Sequence, residues 1–410
     1  MAMAEPSTIH TLEIDDGRDP SVQEFIDNTL AALIHGLSQS PTEANLSITL
    51  KRRASPTACI INPISGALEA SPRVETYRKY SWPGKTAHEA WKFTVILRIL
   101  AILDQAIRTG QLISKRDIYY IDPEFFRVQC TVDRIVDDLA YTIGVNRTAL
   151  NVEAAAKGLV VGEFRLIRGS HILIDAQSVT EDSLIPRIED GDEIDVSRHQ
   201  YAKSLSAGSL PPVGANKFPH QSTSRRRNYG HGKLGVYFSM FRRRNEQPNS
   251  TLKQGKGYPD FMTRTFLRAM SDSIPNQSRR PPSFYVLTDG DPHGMAIMST
   301  YKYCSAAHLH QNARLSMPRL QWLGLRVTDI IAVPEVLGDT ALLSLTIRDR
   351  KKIMAMLRNS PVWASDGPEP EWRAELQRML VLNMKAEIEI LYGCQGGLEG
   401  WINRRMFRQE

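Results

Sequence analysis

A short apolar run that ends in two aspartates constrains the fold of this chain more than any other feature. Residues 283–288 favour a buried strand, and the turn Asp289-Gly-Asp-Pro-His-Gly294 follows at once. Where strands alternate with helices, ligands bind at the carboxyl ends of the strands, which is where Asp289 and Asp291 stand. Two carboxylates at this spacing suit a hard cation such as Mg²⁺, although an acidic turn rich in Gly and Pro is often only a turn.

The second half of the chain alternates between strand-like and helical segments. Residues 284–288 and 320–325 favour strands, whereas residues 261–270, 346–357 and 369–391 favour helices, the first of them capped by Asp260. This alternation predicts a mixed α/β fold with a mostly parallel sheet.

A second short stretch, Ser-Lys-Arg-Asp-Ile-Tyr-Tyr at residues 114–120, predicts a helix that could carry chemistry. Ser114 and Asp117 have the spacing of a capping box, and Arg116 and Tyr120 stand four residues apart on one helix face. The planar guanidinium of arginine can donate two hydrogen bonds to phosphate oxygens, and tyrosine can act as a covalent nucleophile. The alternative is that Tyr119 and Tyr120 are ordinary half-buried aromatic residues.

The segments around this stretch predict a winged helix, a variant of the helix-turn-helix. A capping box at Thr86 and Glu89 precedes an apolar helix over residues 91–107, and Gly110 ends it. A third helix over residues 129–142 carries three aspartates (Asp133, Asp137 and Asp138), which makes it a poor reader of base edges. Residues 151–164 predict a two-stranded wing.

Composition and charge restrict the class of protein. The 410 residues allow two or three domains, and a net charge of +6 mildly favours nucleic acid as a partner. The four cysteines are far apart, which argues against a zinc ribbon or a disulfide scaffold and fits a reducing compartment. The polar N-terminus is no secretory signal, and the longest apolar run, residues 93–103, is too short to span a bilayer.

Composition shifts along the chain predict three parts. Residues 1–70 are expected to form a mobile arm with one amphipathic helix over residues 21–37. A winged-helix domain over residues 71–170 follows, and then an α/β domain over residues 171–410. Inside the last part, residues 197–250 are expected to be a disordered or incorrectly translated insert, because residues 201–224 have no apolar period.

Six motifs in order resemble one family. RDIYY, NVEAAAKGLVVG, KGYPDFMTR, LTDGDPHG, LQWLGLR and EWRAELQRMLVLNMKAEIEIL resemble the A-type chain of topoisomerase VI. They resemble most its eukaryotic relative, the transesterase that starts meiotic recombination by breaking both DNA strands. The resemblance runs from about residue 79 to about residue 392, and it implies a winged helix followed by a Toprim domain, a metal-binding α/β fold.

The resemblance also implies roles for particular residues. Tyr120 is expected to be the nucleophile that becomes linked to 5′ DNA ends, with Arg116 assisting at the phosphate. Asp289 and Asp291 are expected to bind Mg²⁺. The family's KGYPD turn lies on the DNA path, so Lys256 and Tyr258 are expected to contact DNA. Apart from the resemblance, Arg264 shares a helix face with Arg268, and the two form either a track for DNA phosphates or only a solvated stripe.

The implied partners follow from the same resemblance. One tyrosine cuts one strand, so a double-strand break in double-stranded DNA requires a homodimer. The resemblance also implies a partner similar to the B-type ATPase chain of topoisomerase VI, and this chain itself has no GxxxxGK[ST] motif for ATP. Other meiotic break proteins and a nuclear location are expected as well, and a membrane is not.

One element of the family pattern is missing. The family carries a glutamate at the end of its first Toprim strand, before KGYPD, yet residues 236–241 could form a strand that no acid ends. Either an intron has been translated or an exon missed here, or the third metal ligand has been lost. The alternatives to a cleaving enzyme are therefore an impaired DNA-binding scaffold of the same fold, or a different Toprim nuclease or primase that works without tyrosine.

Overall fold

The structure is a computed structural model with a mixed helix and strand fold. It describes residues 20–39, 46–53, 58–71, 75–153, 158–160, 164–176, 183–189, 191–195, 236–240, 249–254, 258–273, 284–305, 309, 312–331 and 342–407. Lys256 and the region 201–224, for which disorder was predicted, lie outside these residues.

The helices of the described residues are, in chain order, α1 (Pro20–Gln39), α2 (Ala87–Thr109), α3 (Lys115–Ile121), α4 (Pro123–Phe126), α5 (Gln129–Ile143), α6 (Phe261–Asp272), α7 (Pro292–Tyr303), α8 (Asn312–Leu315), α9 (Val327–Ile331), α10 (Ile347–Asn359), α11 (Pro370–Leu382) and α12 (Gly397–Phe407).

The strands of the described residues are β1 (Leu46–Lys51), β2 (Cys59–Ile61), β3 (Leu68–Ala70), β4 (Tyr77–Trp82), β5 (Leu159–Val160), β6 (Arg165–Arg168), β7 (His171–Asp175), β8 (Ser183–Leu184), β9 (Asp192–Asp195), β10 (Val236–Met240), β11 (Asn249–Gln254), β12 (Phe284–Leu287), β13 (Leu320–Gly324), β14 (Leu342–Ser344) and β15 (Met384–Ala386).

The contacts divide the chain into two compact units. The first comprises residues 1–53 and 74–153, and the second comprises residues 54–73 and 154–410. This division differs from the predicted boundaries at residues 70 and 170. Residues 54–73 fall in the second unit because the hairpin of β2 and β3 packs in its core, through Cys59 and Leu68.

The N-terminal helix is part of the first unit rather than a separate arm. Three residues of α1 (Val22, Ile26 and Leu33) are buried in the same apolar core as residues of α2 and α5. They recur at roughly helical spacing, so one face of α1 is removed from water, which stabilises packing by about 1.5–3 kcal/mol for each fully buried side chain. The predicted amphipathic helix is therefore present and packed on the first unit, and the mobility of the arm stays a prediction.

The helices of the first unit confirm the sequence pattern. Thr86 caps α2 by accepting a hydrogen bond from the Glu89 backbone N–H, and Gly110 ends it in the left-handed region at φ 66°. Helix α5 ends at Gly144 with φ 87°, and its buried side is apolar. Glycine suits both ends because it has no Cβ that would clash at positive φ.

The predicted wing over residues 151–164 is not a hairpin in the described residues. Val152 forms an isolated parallel bridge with Ile113, and β5 pairs with β8 and β11 instead. The predicted turn at Lys157 lies partly outside the described residues. The sequence indicated local pairing, whereas the pairing observed joins distant segments.

In the second unit, β12 and β13 pair in parallel, and β10 lies beside β12. The other strand pairs in the described residues are antiparallel, so the prediction of a mostly parallel sheet holds only for this pair. All four residues of β12 are buried, as the apolar run predicts. This pair positions the acidic turn that follows β12.

The C-terminal segment corrects one predicted helix. Helix α11 ends at Leu382, because Asn383 adopts a left-handed conformation with φ 53°. Strand β15 follows, paired with β14, and residues 388–393 form a short 3-10 helix. The predicted helix over residues 369–391 is therefore wrong beyond residue 382. No helix within the described residues is long and apolar enough to cross a membrane.

Candidate functional site

Helix α3 presents the predicted nucleophile, and its start is capped as predicted. The Ser114 hydroxyl accepts a hydrogen bond from the Asp117 backbone N–H at 3.1 Å, and the Ser114 N–H donates to the Asp117 carboxylate at 2.8 Å. A helix of seven residues is too short to be stable alone in water, so the helix also needs tertiary anchors.

A partly buried ion pair anchors α3 to α5. The Lys115 ammonium donates to the Asp137 carboxylate and, at 3.1 Å, to the backbone carbonyl of Asp133. Arg53 and Arg147 also lie within 3.6 and 3.8 Å of Asp137. Burial lowers the pKa of Lys115, which Asp137 partly opposes. The Asp137 carboxylate and the Asp133 backbone carbonyl of α5 therefore help to hold α3 in place.

The two tyrosines of α3 have different surroundings. Tyr119 packs against the apolar core, whereas the side chain of Tyr120 is 61% exposed, with 5.5 Å between the two ring centroids. Arg116 is exposed one turn before Tyr120, and no ion pair involves it among the described residues. An exposed phenol beside an unpaired guanidinium is an arrangement that can approach a phosphate.

The acidic turn after β12 is held by backbone contacts. Gly290 and Ala386 exchange hydrogen bonds of 2.8 and 3.1 Å, and the Ile388 N–H donates to Asp289 Oδ1 at 2.9 Å. The Asp291 Oδ1 accepts from the Gly294 N–H at 2.6 Å and thereby caps α7. A Cβ at Gly294 would lie 2.2 Å from the Asp289 carbonyl oxygen, so only glycine fits there.

The charges around this turn fit a cation. The pKa of Asp289 is raised to about 7, chiefly by burial and also by the nearby carboxylates of Asp291, Glu389 and Glu387, while the hydrogen bond from the Ile388 N–H opposes this. Among the described residues, the Oδ2 atoms of Asp289 and Asp291 have no hydrogen-bond partner. Each aspartate thus keeps one oxygen for a hard divalent ion, and a bound cation would offset this concentration of negative charge.

The described residues bring no third acidic ligand into contact with this pair. No group of three or more His, Cys, Asp or Glu side chains there could hold a metal ion together. Strand β10 confirms the strand predicted over residues 236–241, and it lies beside β12, but it ends at Met240. Glu246 lies outside the described residues.

The residues predicted to contact DNA differ in their exposure to solvent. Tyr258 is 52% exposed and accepts a hydrogen bond from Lys352. Arg264 is only 3% exposed and lies among α6 residues that pack into the core. It is near Cys304, and burial raises the pKa of the Cys304 thiol to about 11. Arg268 pairs with Asp272 at 2.7 Å. A contact between Arg264 and DNA would therefore require this region to open, because its side chain is not at the surface.

Sequence reasoning missed residues that the fold brings to the acidic turn. Glu387 and Glu389 were placed in a helix, yet they flank the Ile388 N–H that bonds Asp289. The alternation of polar and apolar residues in Lys385-Ala-Glu-Ile-Glu-Ile390 is typical of extended structure, which could have indicated β15 at its start although not the 3-10 helix that follows. Lys352 on α10 contacts both Tyr258 and His293, and no local pattern indicated it.

Comparisons with known proteins agree with this arrangement. Residues 91–152 match a family model described as type IIB DNA topoisomerase, and residues 235–396 match the Toprim domain shared by Spo11 and the A-type chain of topoisomerase 6. The chain therefore belongs to this family, the Spo11 and topoisomerase 6 A family.

The alignments with individual relatives extend over most of the chain. Meiotic recombination protein SPO11-1 of Oryza sativa subsp. indica is 31% identical over 305 residues, which are 74% of this chain and 71% of the relative. Meiotic recombination protein rec12 of Schizosaccharomyces pombe is 28% identical over 92% of this chain and 93% of the relative. The A-type chain of DNA topoisomerase 6 from Arabidopsis thaliana is 29% identical over 78% of this chain and 66% of the relative.

Proposed function

We propose that this chain initiates meiotic recombination by breaking both strands of DNA through a topoisomerase-like transesterification. The observation that carries the proposal is the exposed Tyr120 beside Arg116, on a capped and anchored helix within the segment that matches type IIB topoisomerases. Relatives named as meiotic recombination proteins support the biological setting. A Toprim nuclease that works without tyrosine would leave this helix unexplained.

The chemistry is an exchange of one phosphodiester for another. The Tyr120 oxygen attacks phosphorus in line, the bond from phosphorus to the 3′ oxygen breaks, and the phenolic proton is released while the 3′ oxygen leaves as a hydroxyl. The chain is then linked to the 5′ end through phosphotyrosine, and no external energy source is consumed. Arg116 binds non-bridging oxygens and stabilises the charge that develops on them.

Asp289 and Asp291 would hold Mg²⁺ through the carboxylate oxygens that have no partner among the described residues. When bound, this ion would offset negative charge on the phosphate and the leaving oxygen. The backbone bonds from Ile388 and Gly294 keep the two carboxylates in position whether or not the ion is present.

The finer architecture is part of the proposal. Helices α2, α3 and α5 would form the three-helix part of a winged-helix domain that carries the nucleophile, and the second unit would form the metal-binding Toprim domain around β12 and β13. Lys256 and Tyr258 would contact the DNA backbone. The exposure of Tyr258 supports this role, and Lys256 lies outside the described residues.

Two tyrosines are needed to cut two strands, so the active form would be a homodimer on double-stranded DNA. A partner chain resembling topoisomerase VI B and other meiotic break proteins would complete the assembly in the nucleus. The relative named as the A-type chain of DNA topoisomerase 6 supports a B-type partner.

The test is the covalent adduct. Purified protein is incubated with duplex DNA and Mg²⁺, denatured, trimmed with nuclease and separated on a gel. A phosphotyrosine adduct at Tyr120 is expected, and the absence of any adduct while DNA still binds would contradict cleavage by this chain.

A second candidate is a DNA-binding scaffold of the same fold that cleaves poorly. The observation that favours it is the missing third carboxylate. The described residues add no third acidic ligand to Asp289 and Asp291, and no acidic residue stands at the end of β10. A less constrained ion is expected to slow the reaction, because misplacing a catalytic group by about 1 Å can cost on the order of 100-fold.

Two experiments separate the candidates. Sequencing the spliced transcript across residues 197–256 shows whether a glutamate-bearing exon belongs there. The unaltered chain is then compared with one that carries a restored V-x-E-K-E segment. Equal adduct rates for the two would show that the third ligand is dispensable.

A further inference from the structure

Lys352 of α10 lies between two motifs that are far apart in sequence. Its ammonium donates to the Tyr258 hydroxyl at 2.7 Å and lies 3.0 Å from His293 Nδ1. It also lies 5.3 Å from the centroid of the Tyr258 ring, within the range of a cation–π contact. Tyr258 belongs to the turn before α6, and His293 belongs to the first turn of α7, two residues after Asp291.

The contact with Lys352 orders the imidazole. An ammonium can only donate, so Nδ1 of His293 accepts, and the ring hydrogen is carried by Nε2. On the other side, His293 Nε2 lies 3.9 Å from an oxygen of Asp349, whose carboxylate accepts from Lys385 at 2.9 Å. A polar chain thus runs from Tyr258 to Lys385 beside the acidic turn.

The charge of Lys352 is not neutralised by its partners. A phenol and a neutral imidazole carry no negative charge, and no carboxylate pairs with Lys352 among the described residues. Lys385 and Lys302 differ in this respect, because they pair with Asp349 and Glu369. An ammonium with three protons, two of them directed to neutral partners, retains a donor and a full charge for an anion.

We propose that Lys352 binds a phosphate of the DNA backbone next to the acidic turn and positions Tyr258 and His293 for contact with the same strand. This inference rests on the proposed function and adds α10 to its DNA-binding surface. The partner is the phosphodiester backbone, since the group offers a cation, an exposed aromatic face and an imidazole N–H, none of which requires a particular base.

The test measures DNA binding without cleavage. The full-length chain carrying Tyr120→Phe is titrated with a duplex oligonucleotide by fluorescence anisotropy between about 50 and 200 mM salt. Lys352→Met is compared with Lys351→Met, which removes the same charge from the adjacent, exposed position, where no contact is present among the described residues. Lys352→Met is expected to weaken binding about 10-fold, as for loss of one hydrogen bond to a charged group.

The salt dependence identifies a phosphate contact. Lys352→Met is expected to lower the slope of log affinity against log salt by about 0.9, the value for one phosphate contact, and Lys351→Met is expected to leave it nearly unchanged. Lys352→Arg keeps the charge and is expected to restore most of the slope. Thermal unfolding of each variant checks the fold, and Lys352→Gln replaces Lys352→Met if the latter is unstable.

The positioning role is tested by a double-mutant cycle with Tyr258→Phe. If Lys352 acts partly through Tyr258, the combined loss of affinity is smaller than the sum of the two single losses. Equal losses for Lys351→Met and Lys352→Met, or an unchanged salt slope for Lys352→Met, would overturn the inference, as would a wild-type chain that does not bind duplex DNA. A chain that binds DNA through Lys352 but forms no adduct would contradict only the proposed cleavage.

Discussion

Tyr120 and Asp289 are the two side chains on which the proposed cleavage depends, and their surroundings are opposite. Tyr120 is 61% exposed, whereas Asp289 is 5% exposed and receives a backbone hydrogen bond. Helix α3, which carries Tyr120, is held by side chains, chiefly the ion pair between Lys115 and Asp137. The acidic turn is held by the backbone of residues 386–388.

This difference follows from what each group has to do. In the proposed reaction the Tyr120 oxygen has to reach phosphorus, which agrees with an α3 helix whose anchors leave the phenol exposed. In the same proposal Asp289 has to keep its position against the repulsion of other carboxylates, which agrees with its burial and its hydrogen bond from a backbone N–H. Substitutions that remove only a reacting or metal-binding group should therefore change chemistry without changing stability, whereas substitutions of the side chains that anchor α3 should change stability.

The largest effect is expected for Tyr120→Phe. This change removes only the nucleophilic oxygen of an exposed residue, so covalent adducts should disappear while the affinity for DNA and the unfolding midpoint stay nearly the same. Adducts are scored on denaturing gels after nuclease trimming.

Tyr119→Phe is the matched control, because the same atom is removed from the neighbouring ring that packs on the core. A mild effect is expected. Loss of the adduct in Tyr119→Phe but not in Tyr120→Phe would reverse the assignment of the nucleophile.

Asp289→Asn and Asp291→Asn should each lower Mg²⁺-dependent cleavage by about 100-fold or more, the scale of a misplaced catalytic group. The amide oxygen can still accept from the Ile388 or Gly294 N–H, and asparagine remains a good helix cap, so the fold should persist. Cleavage is measured against Mg²⁺ concentration, with circular dichroism as the check on folding. Undiminished cleavage by the wild-type chain in EDTA would show that the reaction does not require a metal ion.

Asp137→Ala should destabilise the first unit by about 2 kcal/mol, between the values for exposed and for buried pairs, because it leaves the partly buried Lys115 ammonium without its carboxylate. Chemical denaturation measures the loss. Asp272→Ala is the control, since it breaks the exposed pair with Arg268 and should cost less than about 1 kcal/mol. Similar costs for the two substitutions would mean that the α3 anchor is no stronger than a surface ion pair.

Ser114→Ala should have the smallest effect, about 1 kcal/mol of stability, through loss of the hydroxyl cap of α3. Because α3 also carries Tyr120, adduct formation should fall modestly and recover at lower temperature. Ser114→Asp, which restores an accepting side chain at the cap, should regain the stability. A loss of adduct without any loss of stability would show that Ser114 acts on the chemistry directly.

Local signals were sufficient for much of this structure. The caps at Thr86 and Ser114, the helix ends at Gly110 and Gly144, and the buried strand before Asp289 are all visible within a few residues of sequence. They depend on hydrogen bonds and burial between near neighbours, and for that reason they could be predicted. The resemblance of ordered motifs then pointed to the family that the comparisons confirm.

Long-range contacts decided the rest. Residues 384–386 lie in a strand, and not in the predicted helix, because their backbone pairs with β14 and with Gly290. Lys352 contacts Tyr258 across 94 residues of chain and His293 across 59. No local pattern encodes such pairs, because the residues next to each of these side chains in the sequence give no sign of its distant partner.

The sequence by itself determined the helix that bears Tyr120 and the strand that leads to Asp289, since both depend on near neighbours along the chain. Only the tertiary structure determined which distant groups hold them in place, such as Lys115 on Asp137 and the Ile388 N–H on Asp289. The physical reason is that those contacts exist only after the chain has folded and brought the separate segments together.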